Sequence, residues 1–279
     1  MVAGSDGQLG RALVQRLGAE VVWAGNRAAL DVRDEAAVRA RVDAARPDVV
    51  VNATAYNKVD RAEAERDLAM AVNQAGPRHF AMAAAEAGAL LVHVSTNYVF
   101  DGALRRPYTE EDATHPLGVY GASKLAGEKA VMEVGGRYLI VRTSALYGPT
   151  GNRATGGNFV DRILEGARAG IPLRVVNDQQ VSTTYAPDLA AAIVSLAEAD
   201  CRGLFHVVNE GSCTWHALAV EALTRAGLGP RVEALSSQEL AAPARRPAYS
   251  VLSTERYRSS GLPPLREWRA ALADHLANV

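Results

Sequence analysis

The sequence predicts an α/β protein built on a doubly wound parallel sheet, with a smaller, discontinuous C-terminal lobe. Three observations carry this prediction. β-Branched runs alternate with Ala-rich stretches of helical spacing, a glycine-rich turn stands at the first strand-to-helix junction, and the alternation loosens after Arg142.

The elements follow in chain order. Met1 to Ala3 is a stub of strand, and Gln8 to Leu17 is a helix because its apolar residues recur at three- and four-residue intervals. Strands are expected at Val21 to Ala24, Val49 to Asn52, Leu90 to Ser95, Tyr138 to Arg142 and Phe205 to Val208. Helices are expected at Glu35 to Ala45, Asp67 to Ala87, Tyr120 to Val134 and Asp188 to Ala199. Gly148 to Gly157 and Pro243 to Pro247 read as irregular segments. The late helix and strand return to the main sheet, so the expected division is 1–145 with 176–208 for the sheet domain, and 146–175 with 209–279 for the lobe.

Composition narrows the function. The 279 residues, 48% hydrophobic and 22% charged, are enough for a buried core, and a net charge of −1 leaves no excess to hold nucleic acid or an anionic membrane. Cys201 and Cys213 match neither a zinc pair nor a dithiol motif, which fits a reducing, cytoplasmic compartment. The sequence lacks an apolar run of roughly the 18 residues a membrane helix needs and opens directly on the glycine motif.

That motif is Gly4-x-x-Gly7-x-x-Gly10. Such a turn removes side chains where backbone must approach a pyrophosphate and aims helix N-terminal N–H groups at it, so Gly4, Asp6, Gly7, Gln8 and Leu9 are expected cofactor contacts in a Rossmann-type domain. A plain strand-to-helix turn is the competing reading. The next strand ends in Asn26-Arg27 rather than an acid; Arg27 suits the 2′-phosphate of NADP, NAD staying open, or is a solvated surface charge. Asp31 and Val32 are placed beside the adenine, with a turn or N-cap role equally open for Asp31. Ala53, Thr54 and Ala55 supply small residues along the crevice.

Tyr120-x-x-x-Lys124 puts a phenol and an ammonium one helical turn apart on one face, where the ammonium is expected to lower the phenol's pKa. Ser95-Thr96, at the carboxyl end of a strand, offers a hydroxyl to a substrate oxygen, or merely caps the strand. Together they set a tunable proton donor beside a hydroxyl that can steady a carbonyl oxygen.

These residues carry a resemblance to the dTDP-4-dehydrorhamnose reductase family of extended short-chain dehydrogenases. It runs almost end to end through Gly4-Ser-Asp-Gly-Gln-Leu-Gly10, Arg46-Pro-Asp-Val-Val-Val-Asn52, Val59-Asp60-x-Ala62-Glu63, Ser95-Thr96-x-Tyr98-Val99-Phe100, Tyr120-Gly-x-x-Lys124-Leu-Ala-Gly-Glu128, Arg142-Thr143-Ser144, Asn158-Phe159 and Ala244-Arg245-Arg246-Pro247. The resemblance implies reduction of a 4-keto-deoxysugar on a dTDP carrier by hydride from NADPH or NADH, with Thr96, Tyr120 and Lys124 as triad, Tyr120 and Lys124 also as cofactor contacts, Lys124 at the nicotinamide ribose, and neither metal nor covalent intermediate needed. Substrate contacts are expected from Asn97, Tyr147, Asn158, Gln179, Thr184 and Arg246, with packing or surface ion pairing as the competing role for the last five.

The chain departs from the family pattern in several places. Asn97 stands where an acid is usual, Ala145 where tryptophan is frequent, the segment Asp178 to Thr184 lacks the usual glycine and proline, and Asn57-Lys58 is unusual. The first strand is also short. The nucleotide sugar is the only partner implied, with a homodimer left open. Two other readings stand beside the reductase: an epimerase of the same superfamily, and a non-catalytic dinucleotide-binding regulatory subunit.

Overall fold

A computed structural model describes residues 1–149 and 157–278; residues 150–156, inside the expected Gly148 to Gly157 segment, and residue 279 lie outside the described residues. Six parallel strands line up in the order Gly203–His206, Tyr138–Thr143, Leu90–Thr96, Val49–Asn52, Val2–Ala3 and Ala24–Gly25. The order reverses at Val2–Ala3, which lies between the second strand and Val49–Asn52, so a crevice opens there at the carboxyl ends.

Strand alternation sends side chains to opposite faces, and each face is covered. Val51, Val92 and Val141 pack with Leu9 and Leu13 of the helix Gln8–Leu17 and with Leu189, Ile193 and Leu196 of the helix Ala186–Glu198. Val50, Leu91 and Ile140 pack with Val38, Phe80 and Val131 on the other face. The lobe has its own core, built by the helices Phe159–Arg168, Trp215–Arg225 and Trp268–Ala277 beside the parallel pair Leu173–Val176 and Val232–Leu235.

Three elements differ from expectation. The second strand is Ala24–Gly25 rather than Val21 to Ala24, because its partner Val2–Ala3 is only two residues long and Val22 is 59% exposed. The late strand is Gly203–His206 rather than Phe205 to Val208, in register with Leu139 to Arg142. The helical run expected at Asp67 to Ala87 is present, but it widens into a π turn at Ala71–Ala75 between Arg66–Met70 and Gly76–Glu86. Pro77 has no N–H to donate and its ring crowds the carbonyl four residues back, that of Asn73, which a wider turn relieves.

Candidate active site

Each glycine of the first turn has a separate task. A Cβ on Gly4, whose φ is +87°, would lie 2.9 Å from the Ala53 carbonyl, and one on Gly10 would lie 2.1 Å from the Gly4 oxygen. These two let turn, helix and neighbouring strand end close together. A Cβ on Gly7 would meet only the Gly4 oxygen, at 3.3 Å. Gly7 is the N-cap of the helix Gln8–Leu17, which has neither a side-chain cap nor an acid in its first turn. Its free N–H groups face a space a side chain would fill, as a dinucleotide pyrophosphate requires.

Two cavities flank this turn. One, of about 460 Å³, is walled by Gly4, Asp6, Asn26, Arg27, Asp31 and Val32. The other, of about 440 Å³, is walled by Gln8, Leu9, Thr96, Asn97, Tyr120 and Lys124. Gly7, Ala53, Thr54 and Ala55 belong to both, so every residue of the expected cofactor set lines one space or the other. Asp31 takes the turn role as well: it accepts from the Arg33 amide at 3.1 Å and from Arg33 Nε at 2.9 Å, and these contacts hold its carboxyl down at about 2. Asn26 Oδ1 accepts from the amides of Ala28 and Ala29, fixing the bend that carries Arg27. Buried Asn52 accepts from Thr54 N at 3.1 Å and so sets the crevice wall.

Tyr120 lies in the first turn of the helix Val119–Val134, with Lys124 one turn on and Thr96 at the end of its strand. Burial dominates the phenol and pushes it up to about 12, with Thr96 opposing that shift. Lys124 Nζ donates to the Val94 carbonyl at 2.7 Å; burial pulls the ammonium down to about 8, and Glu128 opposes that shift. The expected lowering of Tyr120 by Lys124 is therefore corrected: desolvation outweighs any attraction, and the ammonium is turned to a backbone oxygen. What stands in the cavity is a neutral, protonated phenol.

Behind the pair lies a group the sequence reading missed as a unit. Glu128, fully buried, is gripped by Arg142 Nε at 2.9 Å and Nη2 at 2.6 Å and accepts from Ser95 Oγ at 2.5 Å. The signal was present in the four-residue spacing of Tyr120, Lys124 and Glu128, which puts all three on one helix face. Asn97, also buried, accepts from Thr96 Oγ at 3.2 Å and donates to Ser250 Oγ at 2.8 Å, tying the strand end to the lobe.

The remaining expected substrate residues are not brought to the Tyr120 cavity. Tyr147, buried, and Asn158 line a neighbouring space of about 240 Å³. Asn158 is also an N-cap, accepting from Asp161 N at 2.9 Å and donating to Gly148 O at 3.1 Å. Gln179 donates to Ser237 Oγ at 2.7 Å, and Arg246 to Asp60 at 2.8 Å; both face a separate space of about 260 Å³. Thr184 is buried between Thr143 and the Ser144 carbonyl. In their stead, Lys58 and Arg162 line the Tyr120 cavity.

A glycine-turn crevice opening onto a Thr-Tyr-Lys cluster defines an oxidoreductase of the extended short-chain dehydrogenase/reductase type. The whole chain, residues 1–279, matches the family described as RmlD substrate binding domain. It is 45% identical to a dTDP-4-dehydrorhamnose reductase of Streptomyces griseus, over 98% of this chain and 91% of that protein. It is 39% identical to a dTDP-4-keto-6-deoxy-D-glucose reductase of Streptomyces niveus, over 98% and 94%. The crystal structure of a dTDP-4-dehydrorhamnose reductase from Bacillus anthracis in complex with NADP superposes with a TM-score of 0.94 at 36% identity, covering 100% of this chain and 98% of that one. The chain belongs to the dTDP-4-dehydrorhamnose reductase family.

Proposed function

We propose that the chain reduces the 4-keto group of a dTDP-4-keto-6-deoxysugar with NADPH, NADH being the weaker alternative. The observation that carries this reading is the convergence of Thr96, Tyr120 and Lys124 on a space that continues into the Gly7 turn. The bound nicotinamide would supply hydride to the carbonyl carbon. Tyr120 gives its proton to the carbonyl oxygen, which Thr96 orients by a hydrogen bond. Lys124, buried one helical turn on, would hold the nicotinamide ribose together with Tyr120. Gly4, Asp6, Gly7, Gln8, Leu9 and the strand-end residues Ala53 to Ala55 hold the dinucleotide, with Arg27 at the 2′-phosphate and Asn26, Asp31 and Val32 at the adenosine.

Asn97, which lines the Tyr120 cavity, faces the sugar, while Tyr147, Asn158, Gln179, Thr184 and Arg246, set back from that cavity, shape the substrate side around it. The same reading divides the chain into a cofactor domain, 1–145 with 176–208, and a substrate lobe, 146–175 with 209–279. It places the enzyme in the cytoplasm, where free Cys201 and Cys213 would stay reduced.

The test is loss of NADPH absorbance with a panel of dTDP-4-keto-6-deoxysugars. Turnover of one or more is expected; cofactor binding with no turnover across the panel would point to a regulatory subunit instead. In a responsive reaction, Tyr120→Phe is expected to lower kcat by about 10²–10⁴-fold with cofactor affinity unchanged. A variant keeping most of its activity removes Tyr120 from the chemistry.

A further inference from the structure

Lys58 stands at a place that the triad and the glycine turn leave unexplained. The two cavities share Gly7, Ala53, Thr54, Ala55, Asn57 and Lys58. A dinucleotide with its adenosine in one space and its nicotinamide in the other must lay its pyrophosphate across that shared wall. Two negative charges then sit where, among the described residues of the shared wall, the only formally charged side chain is Lys58.

The surroundings leave this ammonium available. Lys58 precedes the short helix Val59–Ala62 and makes no side-chain cap to it. The nearby carboxylate, Glu65, is already held by Arg61 and by the Tyr56 hydroxyl. The loop that presents Lys58 is fixed by Asn73, whose Oδ1 accepts from Tyr56 N at 2.8 Å and whose Nδ2 donates to Tyr56 O at 3.0 Å. Arg27, by contrast, lines only the adenosine space, where the other arginine, Arg61, is paired with Glu65.

We propose that Lys58 is the counterion of the cofactor pyrophosphate, closing over it from the side opposite the Gly7 helix terminus. This rests on the dinucleotide reading of the crevice. The helix end supplies partial charge and N–H groups in fixed directions, and Lys58 supplies the full charge on a flexible stem. Division of labour between two cations follows: Lys58 serves NADP and NAD alike, whereas Arg27 separates them.

The experiment is a set of dissociation constants for NADP⁺, NAD⁺ and 2′-AMP, measured by calorimetry on the full chain, wild type and the variants Lys58→Gln, Lys58→Arg and Arg27→Gln. Lys58→Gln is expected to weaken both dinucleotides by the same factor, on the order of 10-fold, and to leave 2′-AMP, which has no pyrophosphate, unchanged. Lys58→Arg should restore most of the loss, and added salt should shrink the gap between variant and wild type. Arg27→Gln should weaken NADP⁺ and 2′-AMP but not NAD⁺.

Equal affinities of wild type and Lys58→Gln for both dinucleotides overturn the assignment. So does a loss confined to NADP⁺ and 2′-AMP, which would move Lys58 to the 2′-phosphate. A wild-type chain that binds neither dinucleotide refutes the crevice reading itself, a separate result. Because Lys58 is exposed and uncapped, an unchanged Tm for Lys58→Gln is expected and certifies that the fold is intact.

Discussion

The wall around the Gly7 turn and the polar residues set back from the Tyr120 cavity are built differently. Around the crevice the walls are backbone and small side chains, Gly4, Gly7, Ala53 and Ala55, and cations such as Arg27 and Lys58 are left to meet a ligand. Farther from the turn, Asn158, Gln179, Thr184 and Arg246 are bound to other protein groups. A side chain of the right chemical type serves a substrate only if its hydrogen-bonding capacity is left over once the fold has been satisfied.

Three perturbations sharpen that contrast, beginning with the largest. Glu128→Ala strips the partner from buried Arg142 and is expected to cost about 3–5 kcal/mol of stability in urea unfolding. A loss below about 1 kcal/mol would mean that water reaches the guanidinium and that the rear of the site is not sealed.

The second is pH. Lys124, held down to about 8 against an ordinary 10.5, binds its proton less tightly in the folded chain than in the unfolded one. Between those values the unfolded chain holds more protons, so this residue makes stability rise with pH across that window. Above about 8 the ammonium is lost, and kcat/KM should fall by about tenfold per unit. Tyr120, near 12, stays protonated throughout. A flat profile to pH 10 would show that Lys124 keeps its charge.

The smallest effect separates cap from contact. Asn158→Ala is expected to cost about 1 kcal/mol of stability through loss of the N-cap, with KM for the nucleotide sugar within twofold of wild type. A KM raised tenfold at unchanged Tm would return Asn158 to the substrate.

The contrast also explains what could be read in advance. The cofactor crevice was legible because a glycine turn, a strand end and a four-residue helical spacing are local patterns with one geometric outcome each. The Glu128–Arg142 pair was only half legible, since its members lie on a helix and a strand whose adjacency depends on the sheet order. The lobe was the least legible. Asn158 has the chemistry of a sugar ligand and of a helix cap in equal measure, and the cap shows only once Asp161 N is placed against it. The shortened second strand was hidden for a similar reason: Val21 to Trp23 have strand character, but their neighbour has too few residues to pair with them.

The wide turn at Ala71–Ala75 behaves as a shim between two parts of the machine. From it Asn73 reaches the Tyr56 loop and also Ser123, at 2.9 Å, on the helix that carries Tyr120 and Lys124. The Asn73 carbonyl sits so close to Gly127 that a Cβ there would approach to 2.1 Å. Dropping one residue from that turn would restore an ordinary helix but rotate what precedes it by about 100°, swinging Asn73 off both partners. A local irregularity thus keeps the crevice wall and the helix of Tyr120 and Lys124 in step, so that a shift in either is felt by the other.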